Sequence, residues 1–364
     1  MWRCSFVWQW YDNTLDLCDT FQQQKGKGAL QDCAEYDSEI GDVVGGVCGH
    51  QHVVKSAEDF ADNCLPHLQE QLVRPNRQGT SVHLMVGTNA FGETVESEVD
   101  ESDPSLAAVY TEAEHRAAKE WASLAANKLS TAKNCIALVG HGVYQADAYW
   151  EVDELLRKLG IPVMVTGLGV ACADHDNPMF LGHHGVCSHE RVKAYLEAHG
   201  GADAHTLLVL GSGLGEFATN SWSERLRNIP NIIHVNTDPK TFGRLDHKPS
   251  HSLHAQCDLK LFSQYLRDCV DDQTVRRLTE LNQSRSQKFF ASNPGAHALH
   301  ARPELLDEDC RVLSGQRLVR DLSDALNEAV PHNAIANIVA DTGNAKMHAA
   351  HYITYRPGWR CLIN

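Results

Sequence analysis

The chain has 364 residues, more than most single cores hold, so two or three domains are expected. Its 32 Lys and Arg against 47 Asp and Glu leave a formal charge of −15, with no basic patch or aromatic-basic interleaving, which speaks against nucleic acid as a partner. No apolar run approaches the ~20 residues of a membrane span, the opening Met1-Trp2-Arg3-Cys4 lacks a signal-peptide layout, and twelve cysteines without a CxxC pair read as reduced thiols of a cytoplasmic protein.

Residues 1 to about 27 show no clear period. Further on, Ser56 is placed to cap a helix on which Phe60, Cys64, Leu65, Leu68 and Leu72 share a face, and Ser81–Val86 reads as a strand. Residues 1–90 therefore look like the C-terminal part of an α/β domain. The acidic, polar stretch 91–112 reads as a linker, and a helix is expected over about 113–129.

The organising stretch follows, from Asn134 to Asp238. Four apolar runs predict strands: Cys135–Val139, Ile161–Thr166, Thr206–Leu210 and Asn231–Asn236. Continuous apolar runs alternating with helical patterns mark strands buried on both faces, hence a parallel sheet wrapped by helices. Such sheets bind ligands at the carboxyl ends of their strands, where Gly140-His141-Gly142, Gly167-Leu168-Gly169 and Gly211-Ser212-Gly213-Leu214-Gly215 fall. A crossover helix, Ala146–Leu159, is expected to bury Trp150, Leu155, Leu156 and Leu159.

After Asp238 the sheet is expected to end near Leu253–Asp258, with helices over 259–270 and 274–291 closing a central domain at 113–291. Residues 292–312, with Pro294, Gly295 and Pro303, read as a second linker. Then come a helix, Gln316–Val330, a strand, Ala334–Ala340, the turn Asp341-Thr342-Gly343-Asn344 and a helix-like Ala345–Ile353. One strand-turn-helix unit cannot bury its own apolar face, so 313–364 reads as the start of another α/β domain. The fold class is thus α/β: a doubly wound parallel-sheet central domain flanked by partial α/β domains.

The order of these motifs resembles the thiamine-diphosphate-dependent enzymes of the acetolactate synthase and pyruvate oxidase group over roughly residues 28–364. The similar pieces are Gly28-Ala29-Leu30-Gln31-Asp32, Val139-Gly140-His141-Gly142, Leu181-Gly182-His183-His184-Gly185, Gly211-Ser212-Gly213, His234-Val235-Asn236-Thr237-Asp238-Pro239 and Asp341–Ala350. The resemblance implies decarboxylation and carboligation of 2-keto acids, with thiamine diphosphate and magnesium as cofactors. It also implies a chain that works as a homo-oligomer or as part of a larger subunit. By that resemblance Thr342, Gly343 and Asn344 would cradle the diphosphate. Gly140, Gly142, Gly182, His183, His184, Gly211 and Gly213 would line a second nucleotide site for FAD or ADP.

The family's magnesium motif, Gly-Asp-Gly, occurs nowhere in the sequence, and Asp42 is its nearest imitation. The glutamate that activates the cofactor would lie before residue 1. A truncated or non-catalytic relative is therefore expected, with residual cofactor binding and no turnover alone. The arginine that FAD-binding relatives place near Gly213 is absent, which speaks against FAD.

Other readings stand beside this one. His183-His184-x-x-Cys187-x-His189 and Cys48-x-His50-x-His52 invite zinc, but the first falls on what the resemblance makes a loop that contacts nucleotide or packs, the second lacks a matching pair at zinc-site spacing, and 21 histidines make chance clusters expected. Asp238 fits a turn at Pro239 better than a ribose contact. A nucleotide-binding or oligomerisation module without chemistry is a further class. A sirtuin-type NAD-dependent deacylase shares the parallel sheet but needs a zinc module with paired CxxC.

Overall fold

The computed structural model describes residues 15–19, 50–66, 82–86, 93, 110–186, 188–245, 251–292, 314–331, 334–341 and 343–363. The motif Gly28–Asp32, Asp42, Cys48, Leu68, Leu72, Cys187, Thr342, Pro294, Gly295, Pro303 and most of both linkers lie outside them. The chain divides into two compact units, 1–110 and 111–364.

In the first unit, β1 (Leu15–Asp19), β2 (His50–Val54) and β3 (Val82–Val86) form a parallel sheet in the order β1-β3-β2. Ser56 caps the turn after β2, its hydroxyl accepting the Asp59 amide at 3.0 Å. The segment it starts is one short helical turn, Ala57–Asp59, running into a π-helical turn, Phe60–Cys64.

The second unit opens with α1 (Glu112–Thr131), set by a reciprocal capping box between Thr111 and Glu114. Then come β4 (Cys135–Val139), α2 (Gly142–Gln145), α3 (Tyr149–Leu159), β5 (Val163–Val165), β6 (Phe180–His183) and α4 (Glu190–His199). They are followed by β7 (Thr206–Leu210), α5 (Glu216–Thr219), α6 (Glu224–Arg227), β8 (Asn231–Asn236), β9 (Ser252–Gln256), α7 (Leu259–Cys269) and α8 (Asp272–Ser292). The C-terminal part comprises α9 (Gly315–Ala329), β10 (Asn337–Ala340), α10 (Asn344–Tyr352) and β11 (Arg360–Ile363), with β10 and β11 paired in parallel.

Six strands make one all-parallel sheet in the order β6-β5-β4-β7-β8-β9, which numbered along the sheet is 3-2-1-4-5-6. Successive residues of each strand point to opposite faces, and both faces are covered. Cys135, Ala137 and Val139 join the core under α1, α3 and α7, while Ile136 and Leu138 join the core under α4. This is why the runs read as continuously apolar rather than alternating. The C-terminal part packs on the first of these faces through Ala349, Ala350, Ile353, Tyr355 and Trp359. Leu318 and Leu322, four residues apart on α9, stay half exposed, and Val339 on β10 is largely exposed.

Two expectations need correcting. Trp150 is not in the buried stripe of α3: Tyr149, Val152, Leu155, Leu156 and Leu159 are, and Trp150 lies half exposed. Tyr149 starts the stripe, and the next residue is turned about 100° away from it. Phe180–His183, read from the sequence as a loop motif, is the edge strand β6.

Arg277 of α8 ties two helices together. Its guanidinium donates to the carbonyls of Leu129 (2.8 Å), Ser130 (3.1 Å) and Ala132 at the end of α1, where helix carbonyls run out of intrahelical donors. Arg277→Ala is expected to destabilise the protein by about 2–3 kcal/mol, the range for charge-assisted bonds to part-buried carbonyls. Urea denaturation followed by circular dichroism measures it. A loss below about 0.5 kcal/mol would show that water replaces the guanidinium without cost.

Candidate functional site

The chain leaves β4 toward β5 on one side and β7 toward β8 on the other, so the sheet reverses direction between neighbouring strands β4 and β7. Loops at such a point splay apart and leave a crevice at the carboxyl ends of the strands. Here the crevice floor is made of glycine. The Gly140 amide donates to Leu210 O (2.8 Å), Gly142 to Gly211 O (2.7 Å) and Gly211 to Val235 O (3.0 Å). A Cβ on Gly140 would sit 2.5 Å from Gly211 O, and one on Gly142 would sit 2.7 Å from Gly211 Cα. Glycine is required at these positions because two backbones touch there. The amides of all three are already committed within the protein.

The open donors are one step further along. Among the described residues, no partner meets the Ser212 and Gly213 amides. The loop that carries them is fixed from three directions. Buried His234 donates from Nε2 to Ser212 O at 2.8 Å, Asn236 Nδ2 donates to the same carbonyl at 3.2 Å, and Arg244 Nη1 donates to Gly213 O. Gly211 takes φ +65° and Leu214 φ +50°, which folds the loop back on itself. Two adjacent open amides with an arginine alongside form a cradle for an anion. The expectation that no arginine stands near Gly213 is thereby corrected, because Arg244 reaches it. It is 31 residues from Gly213 in the chain, and only the turn after β8 brings it back.

That turn is built by Asp238, whose carboxylate accepts the Lys240 amide at 2.9 Å and whose carbonyl accepts Thr241 Oγ1 at 2.7 Å. Asp238 is a turn residue, as its place before Pro239 suggests.

Gly182, His183 and His184 lie at the β6 edge, and both imidazoles are buried. The His184 amide donates to Val165 O (2.7 Å), its Nδ1 lies 3.4 Å from Ser188 Oγ, and burial pushes its pKa down to about 4. The His183 amide donates to His189 Nδ1 at 2.9 Å. Among the described residues, no group of three or more His, Cys, Asp and Glu side chains is arranged to hold a metal. Burial pushes the Cys135 and Cys172 thiols up to about 12, which removes them as nucleophiles.

At the other locus, Gly343 (φ +85°) opens α10, and a Cβ there would meet nothing within 4 Å. Asn344 and Ala345 are exposed and Lys346 is half-buried in the first turn. Open amides at the start of a helix beside a lysine suit a diphosphate. The residues present fit that end of thiamine diphosphate only.

A doubly wound, all-parallel α/β domain with an anion cradle at its switch point is a nucleotide-type domain in fold. Residues 122–266 match the profile of the thiamine pyrophosphate enzyme central domain. That stretch is similar to the central domain of thiamine-diphosphate-dependent enzymes, and the sequence around it is similar to acetolactate synthase large subunits. It is 24% identical over 225 residues to a protein named probable acetolactate synthase large subunit from Methanococcus aeolicus, covering 62% of this chain and 36% of the relative. It is 23% identical over 234 residues to the acetolactate synthase large subunit of Cyanidium caldarium, covering 63% of this chain and 36% of that one. The match thus spans little more than a third of either relative's length. No helix of the described residues is long and apolar enough to cross a membrane.

Proposed function

We propose that this chain is part of an acetolactate-synthase-like subunit acting on 2-keto acids. Its first domain (1–90) would be pyrimidine-binding in type, its central domain (113–291) the spacer, and residues 313–364 the opening of the diphosphate-binding domain. The observation that carries the reading is the 3-2-1-4-5-6 parallel sheet, coinciding with the stretch matched to the family's central domain. Thiamine diphosphate, when bound, supplies a carbanion that adds to the keto carbon and an electron sink for decarboxylation. The part played by this chain would be to hold the diphosphate at the Gly343–Lys346 amides and, at Ser212, Gly213 and Arg244, the phosphate of a nucleotide such as ADP or FAD.

The missing Gly-Asp-Gly leads to the expectation of weak cofactor binding and no turnover by the chain alone. Purified chain mixed with thiamine diphosphate, Mg²⁺ and pyruvate tests this by pyruvate consumption. Cofactor-dependent consumption above the buffer blank overturns the inactive reading. The nucleotide arm has its own test. ADP is expected to raise the melting temperature, and Arg244→Ala to weaken ADP about tenfold, as for loss of one charged contact. Equal affinity in both proteins refutes that site. A non-catalytic assembly role is the second reading. It is favoured by the exposed Leu318 and Leu322 of α9, which a second subunit could cover.

A further inference from the structure

Three imidazoles meet where the C-terminal part rests on the edge of the central sheet. His183 comes from β6, His189 from the residue before α4, and His351 from α10. Their ring centroids are 4.4 Å (His189–His351), 5.7 Å (His183–His351) and 6.2 Å (His183–His189) apart, all close to edge-on. His183 and His189 are buried.

The hydrogen bonds fix the state of the middle ring. His189 Nδ1 accepts the His183 amide at 2.9 Å, so it carries no proton. The proton is then on Nε2, which donates to His351 O at 3.2 Å. This one neutral tautomer joins β6 to α10. Gly182 makes the approach possible, because a Cβ there would lie 2.3 Å from His189 Nδ1. A second proton on His189 would point an N–H at the His183 N–H, break that bond and place a cation beside two more imidazoles at the positive end of α4.

Among the described residues, the charged and titratable groups on the neighbouring elements have these contacts. On α4, Glu190 is paired with Lys193 at 2.6 Å, and Arg191 turns away to Phe180 O (3.4 Å) and the Phe290 ring (5.7 Å). On α10, Tyr352 packs against His351 and His348, His348 faces Gly315, and Lys346 acts on the Cys361 thiol. Behind β6 stand the neutral Gly167 and, beyond His184, Ser188.

We propose that His183, His189 and His351 form a proton-operated latch: neutral, they clamp α10 to the β6 edge, and protonation of His189 releases residues 343–363 from the central domain. The proposal does not rest on the cofactor reading. It would make assembly at Gly343 and Asn344 sensitive to pH.

Hydrogen exchange of the full chain, corrected for intrinsic rates, tests it at pH 7.5 and 5.5, with α7 as internal control. Protection of α10 is expected to fall about tenfold relative to α7 over this interval, which spans the ordinary imidazole range near 6.5. In His189→Gln, whose amide can accept and donate at the same two places but cannot be protonated, α10 and α7 are expected to change together. Equal changes in the two helices of the wild type overturn the latch. So does a selective loss in His189→Gln as large as in the wild type. If that variant does not fold, ¹⁵N shifts of the wild-type imidazoles decide. The latch requires His189 to carry its single proton on Nε2 at pH 7.5, and a proton on Nδ1 overturns it.

Discussion

Gly140→Ala is expected to destabilise the central domain by about 3 kcal/mol or more, the upper part of the range for forcing extra carbon into a packed site. The added methyl would lie 2.5 Å from Gly211 O, 2.6 Å from Ser212 Cα and 2.7 Å from Ser212 Cβ. Two of these atoms are backbone of the post-β7 loop. That loop is held by the bonds from Gly140 and Gly142 on one side and by His234, Asn236 and Arg244 on the other. It cannot give way without breaking several of them. Gly142→Ala meets Gly211 Cα at 2.7 Å and is expected to behave alike. The control is Gly215→Ala, where the methyl meets nothing within 4 Å and φ is an ordinary −71°, so stability should hold within about 0.5 kcal/mol. Guanidinium denaturation of the three variants reads the difference directly. A Gly140→Ala protein as stable as wild type would mean the turns are separable, and that glycine is kept there for a ligand.

That distinction marks how far the sequence could be read. Cys135–Val139, Thr206–Leu210 and Asn231–Asn236 were legible to the residue because both faces of each strand are buried, which makes the whole run apolar. Phe180–His183 escaped because an edge strand packed by histidines carries neither signal, continuous apolarity or alternation. The glycine turns were correctly placed at the sheet's carboxyl edge. Which amides remain open could not be read, because Gly140 and Gly211 are partners only through the pairing of β4 with β7. Arg244 was out of reach for the same reason: its neighbour is set by tertiary structure, with 31 residues between them.

Acid should unfold this protein from the histidines inward. His184 is buried at the β6 edge. His175 is stacked on Phe180 at 4.1 Å, faces Tyr355 at 5.3 Å and bonds Val170 O through Nε2 at 2.8 Å. Desolvation holds both at about 4 in the folded chain, against about 6.5 for an unfolded imidazole. Between those two values the unfolded chain binds more protons, so the stabilisation is complete above pH 6.5 and is lost as pH falls toward 4. Each imidazole contributes a slope of at most about 1.4 kcal/mol per pH unit. Asp153 works against them: desolvation raises its carboxyl despite the Arg157 bond, so its folded form takes up a proton first and offsets part of the loss near the ordinary carboxylate range. Urea midpoints at pH 7.5, 6.0 and 5.0 are expected to fall steadily in the wild type. His184→Gln, which cannot take up a proton, is expected to begin less stable at pH 7.5 but to show a slope shallower by up to about 1.4 kcal/mol per pH unit. A wild-type midpoint that stays level to pH 5.0 would mean that these rings are protonated or solvated in the folded state.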